Sequence, residues 1–184
     1  MAIKTFTTGE VLTASDTNAY LANAGLVYVT STTVGSGVSS VTVSNCFSST
    51  YDDYRIVISG GTASTNLDLY FRLGSSTANY YGGVIYFAYS GGSVGGVGQN
   101  NAAEWRYVAN SGTTNSSGII DLFGPYLTKP TGMVAQYGVM NTLGSVTATN
   151  GFHNDASSFT GFTVNTSSGT ITGQKITVYG YRKA

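Results

Sequence analysis

From Leu26 onward, apolar and polar side chains alternate with a period of two, the pattern of half-buried β-strands. The clearest run spans 66–73, where Leu67, Leu69, Phe71 and Leu73 face one way and Asp68, Tyr70 and Arg72 the other. The same periodicity predicts strands over 26–30, 38–43, 54–59, 84–89, 103–109, 117–123, 133–140, 159–164 and 175–182. Clusters of Gly, Ser, Asn and Asp separate most of them and supply the turn chemistry. Short strands at this spacing, with no second helical period, predict an all-β fold: an antiparallel β-sandwich of jelly-roll type. Two stretches rich in Gly, Ser, Asn and Thr, 90–98 and 110–118, read as exposed loops, the first of them flexible.

Residues 1–25 follow a different pattern. The run 6–12 reads as extended or turning, and Thr13 then stands as an N-cap with Asp16 three residues on, a weak form of the capping box. A short helix carrying Ala19, Tyr20 and Leu21 is expected, with Gly25 placed to end it. A helix of about three turns is marginal alone in water. It must dock, either on its own domain or on another protein. The chain therefore divides into a docking segment, 1–25, and a sandwich domain, 26–184.

Charge changes the picture next. Only 9% of residues are charged, against about 25% in an ordinary soluble domain. Solubility must come from Ser, Thr, Asn and Gly. Eight basic and eight acidic residues balance to zero and form no stripe, so a nucleic-acid partner is not expected. No apolar run approaches the roughly 18 residues of a membrane span, so membrane insertion is not expected. The first residues lack a signal-peptide core, which predicts synthesis in a cytosol. Cys46 has no partner for an intrachain disulfide and reads as a small buried hydrophobe.

Candidate chemistry is sparse. His153 and Asp155 form a His-x-Asp pair, but a metal site usually needs three or four protein ligands, and His153 reads as a loop histidine. Asp52 and Asp53 are adjacent and read as turn residues, which leaves Asp121 and Glu104 as further carboxylates for a glycosidase-type pair. No Gly-x-Ser-x-Gly run is followed by the helical pattern that a nucleophile elbow needs, and there is no phosphate-binding loop, dinucleotide fingerprint or EF-hand spacing. The chain reads as a non-enzyme with no catalytic residue, metal or cofactor. Aromatics carry more signal: 14 tyrosines accompany eight phenylalanines and one tryptophan. Tyrosine offers large contact area at low entropic cost plus a hydroxyl. Tyr80, Tyr81, Trp105 and Tyr107 are the candidates for a glycan-stacking surface, with core packing or subunit contact as the competing reading.

The N-terminal run carries a resemblance. Phe6, Gly9, Glu10, Val11, Leu12, Thr13, Ala14, Asp16, Asn18, Tyr20 and Leu21 fit the pattern Phe-x-x-Gly-Glu-Val-Leu-Thr-Ala-x-Asp-x-Asn-x-Tyr-Leu. This segment resembles the N-terminus of tailed-phage virion proteins, commonly tail-fibre or minor tail proteins. The runs 51–58, 122–126 and 169–182 resemble the β-rich bodies that follow it in marine and cyanobacterial phages. The resemblance implies a structural virion protein made in the bacterial host. Its residues 1–25 would dock onto other virion proteins through Phe6, Leu12, Tyr20 and Leu21. Its sandwich would be displayed outward as a tail-associated appendage within reach of host-surface glycans. Fibre-like symmetry implies a homotrimer. A short body without a long shaft also fits the alternative, a capsid decoration, cement or head-fibre protein.

Overall fold

The computed structural model describes residues 7–16, 25–139 and 144–182. It is an all-β sandwich of antiparallel strands. Of the twelve strands in its main sheet, eight form one layer. Their order is β1 (Leu26–Thr33), β14 (Lys175–Tyr181), β3 (Asp53–Ser59), β9 (Ser116–Phe123), β10 (Thr131–Gly138), β11 (Ser145–His153), β6 (Tyr80–Ala88) and β7 (Val94–Ala102). The other four form a smaller layer in the order β2 (Ser40–Val43), β12 (Phe162–Thr166), β5 (Leu67–Leu73) and β8 (Trp105–Ser111). A two-residue ribbon, β4 (Thr62–Ala63) with β13 (Ile171–Thr172), closes one end.

Each of the ten expected strands is present, with ends shifted by a few residues. Strand β5 keeps its predicted faces: Leu67, Leu69, Phe71 and Leu73 are buried, and Asp68, Tyr70 and Arg72 are half-buried on the outer face. The stretch 90–98 is corrected, because 94–98 belong to β7, paired antiparallel with β6. Gly95 leaves room for a ring to lie over it; a Cβ there would sit 2.4 Å from the Tyr86 ring. The stretch 110–118 is also mostly strand, and its turn is confined to 112–115 between β8 and β9. Strand β11 was not expected as an element. Its inward side chains include Thr147 and Thr149 rather than aliphatic residues, so the apolar alternation that marks the other strands is inverted.

The layers are joined at one corner. Strand β8 pairs with β9 only through Asn110 with Ser117 and Ser111 with Ser116, and β9 then runs between β3 and β10. At this corner Gln174, fully buried, reaches from the start of β14. Its Nε2 donates to the Thr62 carbonyl at 2.8 Å, Ser111 Oγ at 2.9 Å and Ser116 Oγ at 3.1 Å. The chain passes so close that a Cβ on Gly61 would lie 2.3 Å from the Gln174 backbone nitrogen, and Gly61 also holds φ +62°. Only glycine satisfies both conditions.

Between the layers a row of rings fills the core. Phe47 touches Tyr54 (4.8 Å between centroids) and Phe162 (5.7 Å). Phe162 stacks on Phe71 at 4.6 Å, and Phe71 meets Trp105 at 6.2 Å. Such pairs add about 0.5–1.5 kcal/mol each beyond the area they bury. Cys46 lies in this core as expected, its thiol pushed up to about 12 by burial.

Of the N-terminal segment, Ala14–Asp16 are helical and Leu12 is half-exposed. Phe6, Tyr20 and Leu21, and the helix expected to carry Ala19, lie outside the described residues.

Gln174 gives a direct stability test. Gln174→Ala takes the amide donor from the Thr62 carbonyl and from the buried Ser111–Ser116 hydroxyl pair, at about 1–3 kcal/mol for a buried group left unsatisfied. Urea titration should therefore show a clear drop in midpoint for Gln174→Ala. Ser36→Ala, at an exposed bend, should stay within about 0.5 kcal/mol of the parent.

Candidate functional site

The larger layer is wider than the smaller one. Strands β11, β6 and β7 continue past the open edge of β8, and their inward side chains lose their cover. A groove of about 430 Å³ forms there, between this overhang and the β5–β8 edge.

Its floor follows from strand register. Tyr137 of β10 pairs with Thr147 of β11, Thr147 with Tyr86 of β6, and Tyr86 with Gly95 of β7. Direct partners share a face, so these side chains form one row along the floor. Gly95 leaves room for the Tyr86 ring to lie over β7. The wall comes from Asp68, Asn110 and Tyr107. Asp68 and Asn110 are direct partners in the β5–β8 ladder, which then bulges beyond Leu69. Tyr107 sits in that bulge with φ +59°. A bulky residue in the left-handed region is uncommon, costs about 1–3 kcal/mol and persists only where surroundings hold it. Here Thr149 Oγ1 donates to the Tyr107 carbonyl, and the Tyr70 ring meets the Tyr107 ring edge-on at 5.9 Å.

Asp68 is the charged residue of the groove lining. Its Oδ1 accepts from the Tyr137 hydroxyl at 3.3 Å and the Asn110 amide at 3.5 Å. Burial pushes its carboxyl pKa upward, against the lowering effect of those two hydrogen bonds. Burial, and then the neighbouring Asp68 charge, push the Tyr137 hydroxyl up as well. Among the described residues, no arginine or lysine lines the groove.

No family model and no curated protein matches this chain.

The four rings proposed for glycan stacking are dispersed to three places. Tyr80 and Trp105 are corrected to core residues: both are fully buried and present no ring face to a ligand. Their rings meet at 5.0 Å, Trp105 Nε1 donates to the Tyr81 carbonyl, and the Leu73 amide donates to the Tyr80 hydroxyl. Tyr81 lies on the outer face, stacked on Phe152 at 5.3 Å. Tyr107 alone of the four lines the groove. Tyr86 and Tyr137 were missed, and the signal that could have found Tyr86 is its place in a strand facing a glycine run.

His153 is also corrected, from a loop residue to the buried end of β11. Its ring packs on Tyr80 at 4.4 Å and Phe159 at 5.3 Å. The Ala78 carbonyl can only accept, so Nε2 carries the proton and donates to it at 3.1 Å, with Ser76 Oγ 2.8 Å away. Nδ1 is buried without a partner. The remaining candidate acids are engaged elsewhere. Arg55 grips Asp121 with two hydrogen bonds of 2.8 and 2.7 Å, Arg72 Nη2 reaches Glu104 at 3.2 Å, and Asp53 accepts from the Gly124 amide. Among the described residues, no three His, Cys, Asp or Glu side chains converge.

Burial lowers the His153 pKa, because charging Nδ1 would place an unpaired N–H in the core. The unfolded chain thus binds this proton more readily than the native one. The stability that His153 contributes is present above the unfolded value of about 6.5 and is lost as pH falls below it toward the depressed native value. Urea midpoints should therefore drop from about pH 7.5 to about 5.5 in the parent protein, and drop less in His153→Gln. Equal slopes for the two proteins would show that His153 does not carry the dependence.

Proposed function

We propose that this chain is a non-enzymatic structural subunit of a tailed-phage virion, homotrimeric, with residues 1–25 docked onto another virion protein and the sandwich displayed outward. The observation that carries the assembly part is the outer face of the larger sheet. Ile85, Phe87, Ile119, Phe123, Val146 and Phe152 are each 43–65% exposed there. Register makes them one surface: Phe87 opposes Val146, Ile85 opposes Ala148, and Phe152 and Phe123 flank Gly132 from either side. An open cleft of about 580 Å³ runs between Ile85, Phe87, Ile119 and Val146.

Contiguous exposed apolar surface of this kind marks an interaction site in a soluble chain. With charge on only 9% of residues, little else would hold this face in water. A second and third copy of the chain are the covers that the proposal assigns to it. The N-terminal resemblance supplies the virion, and Val11 and Leu12, both exposed, fit a segment that ends on another protein.

Light scattering of the full chain should give a trimer at micromolar concentration. Ile85→Asp combined with Phe87→Asp should shift it to monomer with the β signal of circular dichroism intact. A parent protein that is monomeric at those concentrations would overturn the self-assembly reading.

Removal of residues 2–25 should leave a folded sandwich that no longer enters particles. Normal incorporation of that deletion would end the docking assignment. Immuno-electron microscopy of purified particles locates the full chain: label at the tail supports an adsorption appendage, label over the head makes it a capsid decoration, and bare particles remove the virion reading.

A further inference from the structure

The same strands that carry the apolar outer face turn the groove to their other side. Ile85 and Phe87 point outward, while Val84 and Tyr86 point into the groove. Covering the outer face with further copies therefore leaves the groove open. We propose that this groove binds a neutral oligosaccharide, with a sugar ring stacked on Tyr86 and sugar hydroxyls donating to Asp68 Oδ2. The inference deepens the outward-display reading above and rests on it for the biological source of the sugar, not for the chemistry.

Three observations carry it. First, the aromatic faces: the end of the Tyr86 ring lies over Gly95 with the residue 38% exposed, and Tyr107, held in a left-handed bulge, lines the same groove. A flat ring with an open face suits the apolar side of a pyranose. Second, the acceptors: Tyr137 and Asn110 both donate to Oδ1 of Asp68, and Oδ2 takes no hydrogen bond from the described residues. The Oδ2 atom is also not among the sealed, unsatisfied atoms, so a ligand hydroxyl can reach it. The flanking Asn66, Asn110 and Thr147 add amide and hydroxyl groups that suit vicinal hydroxyls. Third, the charge: Asp68 is joined by no lysine or arginine in the lining, so sulfate, phosphate and uronate groups would meet a carboxylate without a counter-charge. The groove is also shallow and half polar in character, unlike the enclosed apolar cavity that takes a hydrophobic ligand.

The test uses the full chain on an array of neutral oligosaccharides built from glucose, mannose, galactose and N-acetylglucosamine, beside uronate-containing ones. Hits are followed by saturation-transfer NMR and titration. At least one neutral oligosaccharide should bind. Tyr86→Ala and Asp68→Asn should each weaken it by about tenfold or more, while Ser36→Ala, at an exposed bend outside both the groove and the outer apolar face, should bind as the parent does. Tyr86 is surface-exposed and Asp68→Asn is isosteric, so both variants should keep the parent's circular dichroism spectrum. Absence of any neutral hit, binding of uronate-containing sugars alone, or parent-like affinity in both variants would overturn the proposal. Particle labelling separates the two readings. A chain found on particles that binds no sugar fails here alone, and a chain absent from particles that binds sugar through Tyr86 and Asp68 fails the virion reading alone.

Discussion

The sandwich depends on one corner, where the chain leaves the four-stranded layer at the end of β8 and enters the eight-stranded layer at the start of β9. Two backbone pairings span that corner, Asn110 with Ser117 and Ser111 with Ser116. Two sheets meeting there would leave buried hydroxyls and a carbonyl facing one another, an arrangement that costs about 1–3 kcal/mol per unmet group. Gln174 resolves it from a third direction. Because the Thr62 carbonyl can only accept, the amide nitrogen must face it, and its second N–H is then shared between the Ser111 and Ser116 hydroxyl oxygens. The Ser111 and Ser116 hydroxyls then bond each other at 2.6 Å. One side chain thus ties β14, the β4–β13 ribbon and the corner hairpin into a single unit. Gly118 completes the joint, since a Cβ there would lie 2.3 Å from that of Ala109.

With the corner fixed, the scarce charges serve as cross-strand ties. Asp121 of β9 accepts from Arg55 of β3 and from the Tyr181 hydroxyl of β14, three adjacent strands of the larger layer. Burial pushes the Asp121 carboxyl up, but those hydrogen bonds outweigh it and hold it below its ordinary value. Glu104 performs the same office on the smaller layer, taking bonds from Arg72 of β5 and Asn165 of β12. Asp68 differs from both. It sits in β5 with no arginine or lysine bonded to its carboxyl among the described residues, held instead by a tyrosine and an asparagine. Its neighbours stabilise it through dipoles alone, which fits a group kept for a ligand better than a group kept for the fold.

What the sequence disclosed follows from how each strand is buried. Strands β5, β3 and β14 have one buried apolar face and one half-exposed polar face, so period two is visible in their side chains. Strand β7 hides because Gly95, Gly96 and Gly98 have no side chain to alternate; at Gly95 the missing side chain makes room for the Tyr86 ring. Strand β11 hides because its inward threonines bond the fold instead of filling it, Thr149 holding the Tyr107 carbonyl. Residue type told that tyrosines matter but not which side they face. Tyr80 and Tyr81 are neighbours, and the alternation sends one to the core and the other to the outer surface. The groove was least legible of all, since Asp68, Tyr86, Tyr107, Tyr137 and Thr147 come from five strands and converge only after both layers fold.

The extra width of the larger layer is then the feature from which both proposed activities grow. If eight strands faced eight, β11, β6 and β7 would be covered on their inner side, and Val84, Tyr86 and Val97 would read as core. With only four strands opposite, that side becomes a groove with a polar wall, while the outer side of the same strands keeps an exposed apolar surface. A strand's period of two is enough to place assembly chemistry and ligand chemistry back to back without either interfering with the other. The outer face can therefore be saturated by copies of the chain while every groove stays open, so that weak sites on a trimer would act together through avidity.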